Sequence, residues 1–252
     1  MIRRALLVFG FLIPALPGFA ASVDALLVGA TDAELKPVLA QLDRTEKQKL
    51  ASWTFWSGVL GGHRVVVARG EGDPLNAVAA TTLGIRNFSP RLVVVFGTAR
   101  AHDPSLVAGD LVVAREFAAF DGMVSRVTPP DGGSDPTKWV ALPHLLMAPD
   151  EKPTPQMHFP ADEAALAIAS HLHPPRGHLV VGVLGSANQV NREADRIAHL
   201  RALWGTSTED FESAHVAGCA RLWGVPAVGW CVVDGAEGEA GSLVKSFLEA
   251  WK

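Results

Sequence analysis

Two short, continuous apolar runs constrain the fold of this chain more than any other feature. Leu92–Phe96 and Leu179–Leu184 contain no charged residue. Runs of this kind are typical of strands buried on both faces, which occur mainly in parallel sheets covered by helices. Segments with helical periodicity alternate with the strand candidates, as in βαβ units. We therefore predict an α/β fold whose central sheet is mixed but mostly parallel and is flanked by helices.

Turn residues and hydrophobic periodicity place the other elements of a single domain, since neither an internal repeat nor a linker divides the chain. Gly61-Gly62 predicts a hairpin between two β-rich runs. The Pro-rich segment Met123–Pro160 is either a lid over a binding crevice or a surface excursion, and we favour the excursion. The other predicted strands are Asp24–Val28, Trp53–Leu60, His63–Ala68 and Leu111–Ala114, and the helices are Thr31–Leu42, Asp73–Ile85, Glu163–His171, Arg192–Leu203 and Glu239–Trp251.

The first residues have the pattern of a secretory signal peptide. Met1–Arg4 is basic, Ala5–Phe19 is apolar, and Gly18–Ala20 offers small residues where a signal peptidase cuts. We predict a signal peptide at 1–20, a mature domain at 21–252, and export to the periplasm. An uncleaved membrane anchor is the alternative, but the apolar run of 15 residues is short for a span of about 20.

Composition and cysteine usage exclude several classes of function. The chain has 252 residues, a net charge of -4 and no basic face for a nucleic acid. Cys219 and Cys231 lie in apolar segments, which favours buried free thiols over a disulfide. Neither a Gly-x-Ser-x-Gly elbow nor a His-Glu-x-x-His helix is present, so a serine hydrolase and a metalloenzyme are disfavoured. We expect no metal and no cofactor.

Three acids stand where predicted strands end. Asp210 and Glu212 follow a short strand and open a helix, while Asp234 follows the apolar run that ends at Val233. Ligands of open α/β sheets bind at the carboxyl ends of the strands, so these acids would share one crevice. Acids at a helix start also cap free backbone N–H groups, and for Asp210 and Glu212 this alternative stays open.

Two glycine-bearing corners and one further acid fall at the same predicted rim. Gly70 and Gly72 follow a strand and open a helix, where the backbone can approach a ligand, although a structural turn fits equally well. Gly97-Thr98 ends another strand and brings a hydroxyl to the rim. Glu34 lies in the first turn of a helix, as a ligand-facing acid or as a cap.

Five motifs occur along the chain in a fixed order: Gly29-Ala30-Thr31-x-x-Glu34, Gly70-x-Gly72 before Asn76-Ala77, Gly97-Thr98-Ala99, Val107-x-Gly109-Asp110-Leu111-Val112, and Glu209-Asp210-Phe211-Glu212-Ser213 ahead of Gly224-Val225-Pro226. Their ordered set resembles the nucleoside phosphorylase superfamily, and the chain looks most like its methylthioadenosine/S-adenosylhomocysteine nucleosidase branch. The resemblance covers 24–252. A further motif, Gly185-Ser186-Ala187-x-x-x-Asn191-Arg192-Glu193-x-Asp195-Arg196-Ile197, resembles a variant found in exported members.

The resemblance implies a role for each matching residue. Glu34 matches the acid that activates or positions the attacking water, and Thr98 matches a hydroxyl residue that contacts the nucleophile or the sugar. Phe211 and Glu212 match a Met-Glu pair under the ribose. Asn188-Gln189 falls where the family lines its purine pocket.

The chain departs from the family pattern where the family's acid assists the departing purine. The family's Arg-x-Ile-Ser-Asp run aligns with Cys231-Val232-Val233-Asp234-Gly235, so Asp234 stands one residue early. A one-residue offset in a strand reverses the face of the side chain, and Asp234 can therefore serve only if the strand bulges or ends there. Arg100 is a candidate for the charge that the absent Arg would supply.

The resemblance therefore predicts an exported purine nucleosidase that hydrolyses the N-glycosidic bond of a purine nucleoside or thio-nucleoside. Glu34 on the nucleophile side favours water, because a carboxylate would repel phosphate. Two alternatives stay open: a nucleoside-binding protein of the same fold with reduced or lost catalysis, and a nucleoside phosphorylase. The expected partner is a small-molecule nucleoside, and the family implies a homo-oligomer.

Overall fold

The computed structural model describes residues 22–147, 149, 152–236 and 238–252; the predicted signal peptide lies outside them. The strands are β1 (Ala25–Gly29), β2 (Asp43–Leu50), β3 (Trp53–Leu60), β4 (His63–Arg69), β5 (Leu92–Ala101), β6 (Leu111–Ala119), β7 (Met123–Val124), β8 (Val140–Ala141), β9 (His144–Leu146), β10 (Thr154–Gln156), β11 (Phe159–Pro160), β12 (Leu179–Ser186), β13 (Thr208–Asp210) and β14 (Ala227–Val233). The helices are α1 (Asp32–Leu39), α2 (Pro74–Phe88), α3 (Glu163–Ala169), α4 (Ala194–Trp204), α5 (Ser213–Leu222), α6 (Glu239–Ser242) and α7 (Val244–Ala250), with one 3-10 helix at Pro136–Lys138.

A mixed central sheet of ten strands organises the domain, and the predicted α/β fold is confirmed. Parallel pairs at its centre join β1 to β4 and β5, and β5 to β14. Antiparallel pairs form the β2–β3–β4 edge. The strands β5, β14, β6, β12 and β13 pair in a closed circuit, because β14 joins β5 to β6 while β13 joins β12 back to β5.

Burial on both faces is confirmed for one of the two apolar runs. On β5, Val93 and Val95 pack into one core cluster, while Leu92, Val94 and Phe96 pack into the cluster on the opposite face. The prediction was wrong for the first half of β12, where Val180 and Val181 are exposed. Only the later residues of β12, which pair with both β6 and β13, are covered on both faces.

The β2–β3–β4 edge contains one correct and one missed prediction. The hairpin is confirmed: Leu60 pairs with His63, and Gly61 and Gly62 both adopt positive φ, as a tight hairpin turn requires. Strand β2 was not predicted, and α1 ends at Leu39 rather than at the predicted Leu42. Strand β2 is exposed along nearly its whole length and lacks the apolar alternation that marks a half-buried strand.

Most of the Pro-rich segment is exposed, and none of its described residues lines the candidate site described below. Arg196 of α4 donates to the Pro136 carbonyl, and the Trp139 carbonyl lies 2.9 Å from His199 Nε2, so the segment packs on α4. The predicted C-terminal helix is broken at Leu243 into α6 and α7. Within the described part of the chain, none of the helices has the length and apolar character of a membrane span.

The two cysteines are free and buried, as predicted. Cys219 lies on α5 and Cys231 on β14. Burial raises the pKa of both thiols, so neither is a thiolate at neutral pH. The Cys231 thiol donates to Thr208 Oγ1 at 3.6 Å. Both residues therefore act as small core side chains.

Candidate active site

A cleft of about 690 Å³ opens where β1, β5, β13 and β14 end. Six of the nine predicted site residues line it: Gly72, Thr98, Gln189, Phe211, Glu212 and Asp234. The other lining residues are Ala30, Thr31, Ala99, Arg100, Val190, Arg192, Glu209, Asp210 and Gly235. A second cavity, of about 590 Å³ between residues 101–106 and α4, is lined by none of the predicted site residues.

Glu34 lies directly behind the cleft wall and is held by backbone from two elements. Thr31 caps α1 by accepting from the Glu34 N–H. The Glu34 carboxylate accepts from the Ala30 N–H at 2.7 Å and from the N–H and hydroxyl of Thr98 at 2.9 and 3.2 Å. A Cβ at Gly97 would lie 3.1 Å from this carboxylate, so glycine permits the close approach. The residue is 3% exposed, and burial raises its pKa although these hydrogen bonds oppose the rise.

Glu212 is a buried carboxylate that its neighbours leave unsatisfied. It is 7% exposed, and within the described residues its carboxylate accepts no hydrogen bond. Burial raises its pKa well above the usual value, and the negative charges of Asp210, Glu34 and Asp73 raise it further. Because Glu212 lines the cleft, its carboxylate can accept from a ligand hydroxyl there or stabilise a developing positive charge.

Asp210 caps the start of α5, which is one of the two interpretations that the sequence left open for it. One of its oxygens accepts from the N–H groups of Glu212 and Ser213 at 3.1 Å, at the start of α5. The hydroxyls of Ser186 and Ser213 also donate to its carboxylate. Burial raises its pKa against these hydrogen bonds. The capping alternative therefore holds for Asp210, whereas Glu212 forms no side-chain cap.

Glu209 belongs to a buried polar network that the sequence analysis did not find. Its carboxylate accepts from the Asn191 N–H at 3.0 Å and from the Asn191 amide at 2.6 Å. His102 Nε2 lies 3.0 Å from the same carboxylate, and His102 Nδ1 lies 2.7 Å from Thr206 Oγ1. Burial alone would raise the pKa of Glu209, but the hydrogen bonds from His102 and Asn191 lower it. The network fixes the loop that carries Gln189 against β13.

The glycine corner at residues 70–73 combines a packing residue with a lining residue. Gly70 does not line the cleft; a Cβ there would lie 3.3 Å from that of Ala77 on α2, and its N–H donates to the Gly29 carbonyl. Gly72 does line the cleft and has a φ of +61°. Asp73 caps α2 through the Leu75 and Asn76 N–H groups. The predicted purine-pocket pair Asn188-Gln189 is divided, since only Gln189 lines the cleft.

Asp234 lies just beyond the end of its strand, which is the condition under which it could face the site. β14 ends at Val233, and Asp234 adopts a φ of +39°, lies exposed at the cleft and donates its N–H to the Ala99 carbonyl at 2.9 Å. At Gly235 an added Cβ would lie 2.9 Å from that of Val232, so this backbone leaves no room for a side chain.

We call Glu34, Thr98 and Glu212 the Glu34 side of the site, and Asp234, Gly235 and Cys231 the Asp234 side.

Comparison with known proteins decides the family. A family model described as the phosphorylase superfamily matches residues 24–252. The chain belongs to the phosphorylase superfamily. The predicted resemblance is thus confirmed over the range on which it was based.

Three known proteins resemble this chain along most of its length. The 5'-methylthioadenosine/S-adenosylhomocysteine nucleosidase of Actinobacillus succinogenes is 27% identical over 227 residues, which cover 88% of this chain and 90% of that protein. The fold matches a solved S-adenosylhomocysteine nucleosidase from Streptococcus pyogenes, in complex with 5-methylthiotubericidin, with a TM-score of 0.74 at 18% identity, over 92% and 98% of the two chains. It also matches futalosine hydrolase of Helicobacter pylori with a TM-score of 0.66 at 23% identity, over 92% of each.

Nine of the lining residues were not predicted as site residues, and Arg100, Val190 and Arg192 are three of them. Val190 and Arg192 follow Gln189 in the loop that the Glu209 network holds, and Arg100 was considered only as a replacement charge. Val190 and Arg192 could have been predicted by extending the prediction of Gln189 along its loop. The hydrogen bonds between Glu209 and Asn191 could not have been predicted, because they form only in the folded chain.

Proposed function

We propose that this chain is a purine nucleosidase, which hydrolyses the N-glycosidic bond of a purine nucleoside or thio-nucleoside. The observation that carries the proposal is that Thr98 and Glu212 line one cleft while Thr98 donates to the Glu34 carboxylate directly behind its wall. The identity to nucleosidases of the same superfamily supports it.

Glu212 is proposed to stabilise the sugar. Breaking the N-glycosidic bond builds positive charge on the ribose, and a carboxylate in a buried site stabilises such charge more strongly than one in water. The same carboxylate lacks a donor of its own, so ribose hydroxyls would satisfy it in the bound state. The carboxylate thereby binds the sugar and stabilises its charged transition state.

Glu34 is proposed as the general base. Its raised pKa brings it closer to the working pH, where a base is most effective. Water attacks the anomeric carbon, and Glu34 takes the proton that the water loses. The Thr98 N–H and hydroxyl orient the carboxylate for this step. As the C–O bond forms, the C–N bond breaks and its electron pair leaves with the purine.

Asp234 is proposed to protonate the departing purine. Its exposed carboxyl at the end of β14 lies on the cleft and carries no ion pair within the described residues. Because it is exposed, its contribution is expected to be smaller than that of the buried acids.

The test is release of free base from adenosine, inosine, methylthioadenosine and S-adenosylhomocysteine, with and without phosphate. Release in phosphate-free buffer that Glu34→Gln abolishes supports hydrolysis. Thermal stabilisation by these nucleosides without any release would establish a binding protein instead. Release that requires phosphate would establish a phosphorylase.

We also propose that the mature protein is exported and forms a homo-oligomer. The basic and apolar pattern of residues 1–20 supports export, and the family resemblance supports assembly. N-terminal sequencing of the protein from the periplasmic fraction should begin at Ala21, whereas retention of Met1 in a membrane fraction would identify an anchor. Sedimentation of the mature chain should give a mass above that of one chain.

A further inference from the structure

The proposed chemistry leaves one buried histidine without a role. His102 directly follows β5, and its side chain is fully buried. The ring packs against Phe120, with the two ring centroids 5.6 Å apart. Its Nδ1 and Nε2 lie 2.7 Å from Thr206 Oγ1 and 3.0 Å from the Glu209 carboxylate. His102 does not line the cleft, so any effect that it has on the reaction must pass through another residue.

The partners of His102 determine which of its ring nitrogens donates. Burial would raise the pKa of Glu209, but the hydrogen bonds from His102 and Asn191 lower it, so the carboxyl is ionised at neutral pH and can only accept. His102 Nε2 therefore donates to Glu209, and in the neutral imidazole Nδ1 then accepts from the Thr206 hydroxyl. Without the imidazole, a buried carboxylate would lose one of its donors, which is costly.

Glu209 transmits this constraint to the loop between β12 and α4. Of residues 188–195, Asn191 alone is buried. Its backbone N–H and its side-chain amide donate to the two oxygens of the Glu209 carboxylate, at 3.0 and 2.6 Å. The carboxylate that His102 holds is therefore the anchor of this loop.

The anchored loop forms part of the cleft wall. Its other end is held by the Ala187 N–H, which donates to the Asp210 carbonyl at 3.1 Å. Between these two anchors, residues 188–190 form no hydrogen bond with the described part of the chain. Gln189 and Val190 nevertheless line the cleft. Their position there depends on the anchors on either side of them.

Strand β13 separates the support of this loop from the support of the acids. Glu209 and Asp210 are adjacent on β13, so their side chains point to opposite faces of the sheet. Asp210 accepts from the Glu212 N–H at the start of α5, whereas Glu34 accepts from backbone at the ends of β1 and β5. A change at His102 should therefore displace the loop and leave the two glutamates of the Glu34 side in place.

We propose that His102 is a positioning residue that acts through Glu209 and Asn191 to fix the loop 187–193, and thereby sets how tightly the cleft holds the base of the nucleoside. The proposal rests on the proposed function, which gives the cleft to a purine nucleoside and the wall around Gln189 to its base. An interaction that is equally strong in the ground state and the transition state changes KM and leaves kcat unchanged. His102 is expected to act in this way because the loop holds the base while other residues act on the sugar and the water.

Two substitutions separate the hydrogen bond of His102 from the volume of its side chain. His102→Gln places an amide N–H close to the position of Nε2, so it can still donate to Glu209, whereas His102→Leu has a similar volume and no donor. His158→Leu is the matched control: His158 is partly buried, its Nε2 lies 2.8 Å from the Trp204 carbonyl, and it does not line the cleft.

Steady-state kinetics test the expected split between KM and kcat. The substrate is the one of adenosine, inosine, methylthioadenosine and S-adenosylhomocysteine that releases its base fastest. His102→Leu should raise KM about tenfold and keep kcat within about threefold. His102→Gln and His158→Leu should keep both constants within about threefold. If His102→Leu does not fold, Asn191→Ala weakens the same link from the side of the loop and should raise KM in the same way.

Hydrogen exchange measures the position of the loop without any ligand. In His102→Leu, or in Asn191→Ala if the former does not fold, amides of residues 187–193 should exchange about tenfold faster, because the loop opens more often. Amides of α5 are the internal reference, since Asp210 holds the start of that helix. In His102→Gln the loop should exchange as it does in the unmodified protein.

Three results would overturn the proposal. The first is unchanged exchange of residues 187–193 in the variant that lacks the donor. The second is a fall in kcat as large as the rise in KM. The third is an equal loss in His102→Gln and His102→Leu, because the hydrogen bond to Glu209 would then have no part in the effect.

Direct binding distinguishes failure of this proposal from failure of the proposed function. If none of the four nucleosides releases its base, the proposed function fails, and dissociation constants from thermal stabilisation replace KM. Binding that is about tenfold weaker in His102→Leu, and is kept in His102→Gln and His158→Leu, would still support the positioning role. Equal binding by the unmodified protein and His102→Leu, or no binding of any of the four nucleosides to the unmodified protein, would overturn it.

Discussion

The two sides of the cleft differ in how the protein holds its acids. On the Glu34 side, Glu34 and Glu212 are buried, have raised pKa values and lie against backbone from β1, β5 and the start of α5. On the Asp234 side, the single acid is exposed and rests on one left-handed residue at the end of β14. Electrostatic effects grow as water is excluded. The Glu34 side should therefore respond strongly to conservative substitutions, and the Asp234 side should respond weakly.

The largest expected effect is that of Glu34→Gln. Removing a general base typically costs 10²- to 10⁴-fold in rate, and we expect kcat to fall by about 10³-fold. In the unmodified protein, kcat/KM should rise with pH through the raised pKa of Glu34, because the base acts when deprotonated. Asp32→Asn is the matched control, since Asp32 is an exposed acid two residues away on α1 and should leave kcat unchanged. If the Glu34→Gln variant kept nearly full activity, Glu34 would not be the general base, and the predicted difference between the two sides would be wrong.

Glu212→Gln should lower activity and raise stability. We expect kcat/KM to fall by about 10²-fold, because the sugar loses a buried charge. A carboxyl whose pKa is raised in the folded protein costs stability as pH rises above its unfolded value, near 4.5, through the folded value. The variant should therefore have a higher Tm than the unmodified protein at pH 8, with little difference near pH 4. A lower Tm at pH 8 would mean that the Glu212 carboxylate is satisfied in the free protein.

Asp234→Asn should have a smaller effect, about tenfold on kcat with KM little changed, because the acid is exposed and water can replace it as a proton donor. Adding Gly235→Asp should not restore activity, since a Cβ at that position approaches Val232 and Glu239 too closely. Steady-state kinetics on methylthioadenosine measure both. If Asp234→Asn lowered kcat as much as Glu34→Gln, the two sides of the site would contribute equally to catalysis, and the predicted difference would be wrong.

The contrast also shows how much the sequence can predict. β5, the β3–β4 hairpin and the capping by Asp210 follow from local patterns, namely a continuous apolar run, a Gly-Gly turn and an acid before a helix. β2 does not, because an edge strand open to solvent carries no apolar pattern.

Contacts between distant residues set the other limit. His102 and Glu209 are 107 residues apart, and neither has a local pattern that marks the pair. Gly70 packs on Ala77, whereas Gly72 lines the cleft. This difference depends on the backbone path of one turn, which the sequence does not show. The acids of the site could be predicted from residue type and position. The contacts that hold the site in place could be identified only from the folded structure.

The smallest expected effect is that of Cys231→Ala, which tests whether the residue at the family's Arg position takes part in the reaction. The Cys231 side chain is fully buried, does not line the cleft and touches Thr208. Its truncation should lower the free energy of unfolding by about 1 kcal/mol through a small cavity and one weak hydrogen bond. Urea unfolding measures that loss, and kcat/KM should stay within about twofold because no atom that meets the substrate moves. A tenfold loss of kcat/KM in a variant that remains folded would instead make Cys231 a positioning residue for Asp234, and the Asp234 side would then depend on its buried neighbours as the Glu34 side does.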